Sequence, residues 1–397
     1  MEINNTDAKQ SGSKALMLVL LLIALIQMPQ IAVLPAIEQL TTEVFPDRTL
    51  QSIQTVMGLI SFMSVATGII GAIIIRWGVS SKKTVTILGI VLIASAGVGA
   101  FFLNTRFWHV IVLNALIGAG MGFCIPNSQS IVFDSFDEKR RQFMVGMTSA
   151  FLSAGGVIMG VGGGLLIAIV WYGGYLMALL ALPVIVLSII YIPSARQSVL
   201  NDAKRSSKLP GAVFFYGALI FLFSVVFNVA GMNISTHIAN GNIGDAAFAG
   251  LAAAMPMLGG IVMGLLFVKM SNALGDKILP LAFFMLFVGF TILNVFPTSL
   301  VMTLLAMFLK GLGLSMFMPR CLFNVSNITD PSNSSTATML VLSIAPGSGG
   351  FLSPIIMTNL TFALGGDSTR FRYQFTGFVC LAISIVVFLM ISRKKTD

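Results

Sequence analysis

The chain repeats itself at an offset of 193 residues, and both copies fall in long apolar runs. Gly71 aligns with Gly264, Arg76 with Lys269, Gly118 with Gly311, Gly120 with Gly313, Pro126 with Pro319 and Asp137 with Asp330, without a gap. Most other positions differ, so the duplication is old. Two copies of a six-span unit, related by an axis along the membrane normal, place a solute site between the halves.

The apolar runs themselves fix the solvent. Hydrophobic residues make up 56% of the chain and charged residues 9%, against about 25% charged in a soluble domain. With lipid as solvent, each span must satisfy its own backbone hydrogen bonds, which makes the chain all-α. A span needs about 20 mostly apolar residues. Twelve are predicted, at 15–37, 51–75, 84–103, 107–133, 142–169, 171–193, 211–238, 245–268, 278–296, 299–326, 336–363 and 371–392. The net charge of +9 does not point to nucleic acid, because the basic residues are spread over short loops.

Those loops orient the chain. With both termini cytoplasmic, seventeen Lys and Arg fall inside and four (Arg48, Arg106, Arg370 and Arg372) fall outside, the bias expected of cytoplasmic loops. Lys14 precedes the apolar run Ala15–Ile26, but the run continues to Pro35 without a small-residue cleavage site, so it reads as the first span. The expected division is an N-terminal six-helix bundle over 1–193, a polar cytoplasmic linker over 194–210 and a C-terminal six-helix bundle over 211–397. The linker's basic residues are expected near anionic head groups. Cys124, Cys321 and Cys380 all lie in spans without metal-ligand spacing and read as apolar packers.

Small residues mark particular faces. Gly118, Gly122 and Pro126 recur every fourth position in the fourth span, with Asn114 one step earlier; Gly311, Ser315 and Pro319 repeat this in the tenth. The fifth span carries Gly156, Gly160 and Gly164, and the eighth Pro256, Gly260 and Gly264. Such spacing lets helices approach closely. Because the faces recur in both halves, they are expected where the halves rock against each other.

At Gly71-Ala-Ile-Ile-Ile-Arg76-Trp77-Gly78, ending in Lys82-Lys83, the chain resembles the major facilitator superfamily. Gly71, Arg76, Gly78 and the basic end match that family's signature between spans two and three; Ile75 stands where the family usually has Asp. The second copy, Gly264 to Gly275-Asp276-Lys277, is looser. The resemblance covers nearly the whole chain and implies a secondary transporter working by alternating access in the plasma (inner) membrane. It is partial towards proton-coupled drug antiporters. Asn114 occupies the position of their span-four Arg, and Gly160 is followed by Val161 where they have Pro. Asp134, Asp137 and Glu138, at the end of span four, are placed to pair with Arg76 or Arg141.

Charges inside spans bear on substrate. The 14 acids all fall in tails, loops or span ends, whereas Lys310 lies near the middle of span ten and Arg320 ten residues further. A buried ionisable group is costly and faces a cavity or a partner. Two cations without an acidic partner predict an anionic substrate, with Lys310 its counter-ion and Arg320 assisting. Gln27, Gln30, Asn114, Asn127, Asn228 and Asn324 are the polar candidates for the cavity wall. Gly71, Arg76, Gly78, Asp134, Gly118, Pro126, Gly311 and Pro319 are the candidates for conformational control. His109 and His237 read as interface residues. Nothing assembles an acid–base pair, activated nucleophile or metal set, so an enzyme is not indicated, and no cofactor or metal is expected. The lead expectation is an organic-anion (carboxylate) carrier, acting as a monomer in the bilayer. The alternative, from 31 Phe and 23 Met, is efflux of hydrophobic or amphipathic compounds, with proton coupling open.

Overall fold

The computed structural model describes residues 14–193, 209–329, 334–366 and 368–393. The linker expected over 194–210 and the paired Asp330 lie almost wholly outside these residues. Among them the secondary structure is entirely helical.

Twelve spans follow in order. They are α1 (Lys14–Val44), α2 (Leu50–Arg76), α3 (Lys82–Gly99), α4 (Phe107–Ser135), α5 (Glu138–Ile167), α6 (Gly173–Tyr191), α7 (Gly211–Asn240), α8 (Ala246–Leu274), α9 (Ile278–Val295), α10 (Leu300–Ile328), α11 (Ala337–Ala363) and α12 (Thr369–Arg393). α8 and α9 run together as one apolar stretch, bent only by the 3₁₀ turn Gly275–Lys277. Local chemistry sets the starts. Thr49, Ser81, Asp245 and Ser299 each accept a backbone N–H of the helix they precede, which satisfies a donor the helix cannot. Gly78 (φ 70°) and Gly275 (φ 55°) turn the chain at equivalent places in the two halves, a conformation that costs other residues.

The first span departs from expectation. It runs to Val44, not residue 37, and it is not one helix: regular structure breaks at residues 26–28 and resumes at Pro29. Pro35 then sits in a 3₁₀ turn (Leu34–Ala36) and a π turn closes the span (Leu40–Val44). Proline lacks the N–H that a continuing helix needs, so Pro29 starts a new segment. Gly155 and Gly163 of α5 let this irregular backbone approach. A Cβ at Gly155 would lie 2.7 Å from the Leu25 carbonyl carbon, and one at Gly163 2.6 Å from the Ala32 Cα.

Two buried cores form. One joins residues from Leu16 to Ile192, and the other residues from Val213 to Val387; Met232 of α7 crosses over into the first. The duplicated glycines serve the same contact in each core. Gly118 packs on α2 at Ile60 and Met63, as Gly311 packs on α8 at Pro256; Gly120 packs on α3, as Gly313 does on α9.

Loops joining α2 to α3, α4 to α5, α8 to α9 and α10 to α11 lie on the end of the bundle where α1 begins, here the basic face; the opposite end is the far face.

Candidate functional site

The boundary between the halves is closed over its far-face part. α5 lies on α8, where a Cβ at Gly160 would sit 2.8 Å from the Ala254 Cβ and 2.9 Å from the Gly250 carbonyl oxygen. α2 lies on α11, where Phe62 and Phe351 meet with ring centroids 5.1 Å apart. A Cβ at Gly58 would be 3.2 Å from the Phe351 carbonyl oxygen. Towards the basic face this packing ends. Gly146 of α5 and Gly264 of α8 have open space beside them, and Phe143, Leu265 and Val268 are exposed. The halves therefore meet at the far face and part towards the basic face.

Hydrogen bonds fasten the far side. The Gln54 side-chain amide of α2 donates to the Met232 carbonyl (2.8 Å) and to the Asn233 Oδ1 (3.0 Å) of α7. Arg372 of α12 donates to the same Asn233 oxygen at 3.2 Å. Nearer the far-face surface, Gln51 donates to Asn359 at 3.1 Å. Gln54, Asn233 and Arg372 are all buried, and such pairs hold best away from competing water. Gln54 and Gln51 were legible as polar residues in an apolar run, but a single polar residue carries no sign of which neighbour it will meet. Arg372, expected in an outer loop, lies in the first turn of α12 and is 3% exposed.

The cavity-wall candidates divide. Asn228 borders the boundary, 3.5 Å from where a Gly350 Cβ would stand; that Cβ would also lie 3.0 Å from the Ser61 hydroxyl of α2. Gln30 is half-buried just beyond the break in α1, its amide nitrogen on the Met28 sulfur and its amide oxygen unpartnered. The other four serve their own half. Gln27 donates to Ser128 of α4 (2.8 Å). Asn114 accepts from the Tyr175 hydroxyl (3.1 Å). Asn127 bonds back to the Phe123 carbonyl (2.7 Å). Asn324 joins Tyr216 and Asp276. Buried amides must find partners, and these found them inside a bundle.

The two cations also part company. Arg320 does have an acid: its guanidinium lies 2.9 Å from Asp276 and donates to Ser271 at 3.2 Å. Asp276 is at the α8–α9 turn, so the chain fold supplies a partner that span positions alone did not show. Lys310 is 2% exposed inside the C-terminal bundle. Its stem passes Gly289 of α9 and its ammonium lies 4.4 Å from the Phe227 ring centroid. It has no carboxylate partner among the described residues. His109 and His237 are buried rather than interfacial. His109 accepts the N–H groups of Thr105 and Arg106, and His237 packs between Thr303 and Tyr373.

The control candidates shift likewise. Gly118 and Gly311 hold helices within a half, so they are not at the boundary between the halves; Gly156, Gly160 and Gly164 of α5 are. Gly71 packs on Phe123 and Val85 of its own half. Pro126 and Pro319 are exposed. Asp134 pairs with Lys82 at 2.6 Å, not with Arg76 or Arg141, and Arg76 ends α2 exposed. Arg141 donates to the Phe136 carbonyl, and Asp137 lies 3.8 Å from Arg140. Lys82–Asp134 ties the α2–α3 turn to α4, and Arg320–Asp276 ties the α8–α9 turn to α10. The repeat thus places an ion pair at the same joint with its charges exchanged. Among the described residues, no group of three or more His, Cys, Asp or Glu stands together as a metal site.

A family model described as Major Facilitator Superfamily matches residues 16–239. No curated protein matches the chain. Solved structures of the same shape include a POT family transporter in complex with 5-aminolevulinic acid (TM-score 0.77, 12% identity, 98% of each chain covered). Another is a peptide transporter POT in complex with sulfate (0.76, 15%, 95% of this chain and 94% of that one). A third is a bacterial homolog of the human lysosomal transporter Spinster in an inward-facing and occupied conformation (0.69, 16%, 96% and 98%). At these identities the likeness is one of fold.

Proposed function

The chain belongs to the major facilitator superfamily, and we propose that, as a secondary transporter of that family, it carries a small neutral or amphipathic organic solute between its two halves. A multi-pass membrane carrier of this kind is not an enzyme. The observation that supports the substrate class is the neutrality of the side chains that meet in the α2–α7, α2–α11 and α5–α8 contacts. Gln51, Gln54, Ser61, Asn228 and Asn359 lie along them beside Phe62, Phe351 and Met257, and the carboxylates at the boundary, Glu38 and Asp245, stand apart from them where α1 meets the α7–α8 turn. Aromatic and Met surfaces with a few neutral amides suit varied amphipathic ligands. A peptide's charged ends would need paired counter-charges instead.

The charge bias of the loops supports a cytoplasmic basic face with both termini inside, and the plasma membrane is the membrane this reading takes. On that assignment the structure is open inward, and alternating access proceeds by breaking the α5–α8 and α2–α11 contacts. The six-span halves 1–193 and 211–397 are the moving units, and one chain holds the whole path.

A second reading keeps the organic anion. Lys310 supports it, because its ammonium has no carboxylate partner among the described residues and lies over the Phe227 ring. Transport in proteoliposomes, and thermal stabilisation by a panel of neutral amphiphiles and organic carboxylates, separate the two. Neutral amphiphiles that stabilise wild type and Lys310→Met equally support the lead reading. A carboxylate that stabilises only the wild type overturns it in favour of the anion.

A further inference from the structure

On the far face, where α1 meets the turn between α7 and α8, the boundary holds a cavity of about 80 Å³. Glu38 and Gln39 line it from the first half, Ser235 and Asp245 from the second. Its chemistry is one-sided. Glu38 and Asp245 have no cationic partner among the described residues. Asp245 accepts the Phe248 N–H with one oxygen (3.0 Å), which leaves the other free. Ser235 is 4% exposed, and its hydroxyl has no hydrogen-bond partner; the buried Gln39 amide oxygen has none either. Buried polar atoms are nearly always paired, so these two oxygens call for a partner, and the half-buried Glu38 and exposed Asp245 beside them favour a positively charged one. The space admits an ion with a little water and is far below the few hundred Å³ of a drug-sized site.

We propose that this cavity binds a hard metal cation, with Glu38, Gln39, Ser235 and Asp245 as its oxygen donors. Carboxylate, amide and hydroxyl oxygens are the ligands such ions take. The donors come from opposite halves, so the ion is held only while the far face is shut. A ligand that binds one state alone shifts the population towards it. The binding stands on the cavity itself; its effect on conformation rests on the alternating-access reading.

The test uses the full chain in nanodiscs, with NaCl, CaCl₂ or MgCl₂ compared against choline chloride at matched ionic strength. Thermal midpoint reports binding, and spin labels at Phe143 and Leu265 report how far the basic ends stand apart. One of the metal ions is expected to raise the midpoint by several degrees and to enrich the wide-open basic face. Glu38→Gln should weaken its apparent affinity about tenfold or more, because ligand charge sets affinity at such sites. Asp245→Asn should do the same while still capping α8. Failure of every metal ion to differ from choline would overturn the site, as would an unaltered response in both variants. A carboxylate-dependent midpoint shift with unmoved labels would keep the site and overturn its conformational role.

Discussion

Gly160→Ala should open the far face. In the structure the new methyl would stand 2.8 Å from the Ala254 Cβ, 2.9 Å from the Gly250 carbonyl and 3.1 Å from the Ile31 Cγ2. Neither Ala254 nor the Gly250 backbone can rotate away, so α5 and α8 must separate by roughly half an ångström to reach ordinary contact. Overpacking of this kind costs about 1–3 kcal/mol. Alanine also gains about 1 kcal/mol of helix propensity over glycine, but it does so in both conformations and cancels between them. The clash does not cancel, because it exists only while α5 and α8 touch. The far-closed state should therefore lose roughly 5–150-fold in population relative to the far-open one. The three native cysteines are buried, so cysteines added at exposed Phe143 and Leu265 label selectively, and pulsed EPR reads their separation. The shorter distance should gain weight in Gly160→Ala. Gly264→Ala is the control, since its methyl meets open space. Unchanged distances in Gly160→Ala, or an equal shift in Gly264→Ala, would refute the reasoning.

Gln54→Leu should weaken the same closure by about 1–3 kcal/mol, since it leaves the buried Met232 carbonyl without its side-chain donor; the label pair reads this too, with the midpoint of the far-open state unchanged. Lys310→Met should melt no lower than wild type, because replacing a buried charge with an apolar side chain of similar length is often neutral or stabilising, whereas Lys310→Ala should lose about 2 kcal/mol or more to the cavity it leaves. Gly78→Ala should cost about 1–2 kcal/mol, as its φ of 70° is disfavoured for residues with a Cβ; earlier proteolysis at the α2–α3 turn is the readout.

The sequence by itself determined the twelve spans, their order and the twofold repeat. Hydropathy and length suffice for that, because lipid admits only helices and closed barrels and unbroken apolar runs of about 20 residues fit the helix. It also showed which glycines correspond, and Gly118 and Gly311 do occupy matching contacts. What it could not determine was which face of each helix meets which neighbour. Gly118 and Gly160 look alike in the chain, yet one locks α4 to α2 within a half and the other lies on the boundary between the halves. Gln27 and Gln54 are equally polar, yet Gln27 bonds inside its bundle and Gln54 bonds across. Arg320 looked unpaired until the α8–α9 turn brought Asp276 to it, and Glu38 and Asp245 share a cavity only because α1 and α8 converge. Such pairings are set by helix rotation and crossing, which depend on contacts between residues far apart in the chain; only the tertiary structure decides them.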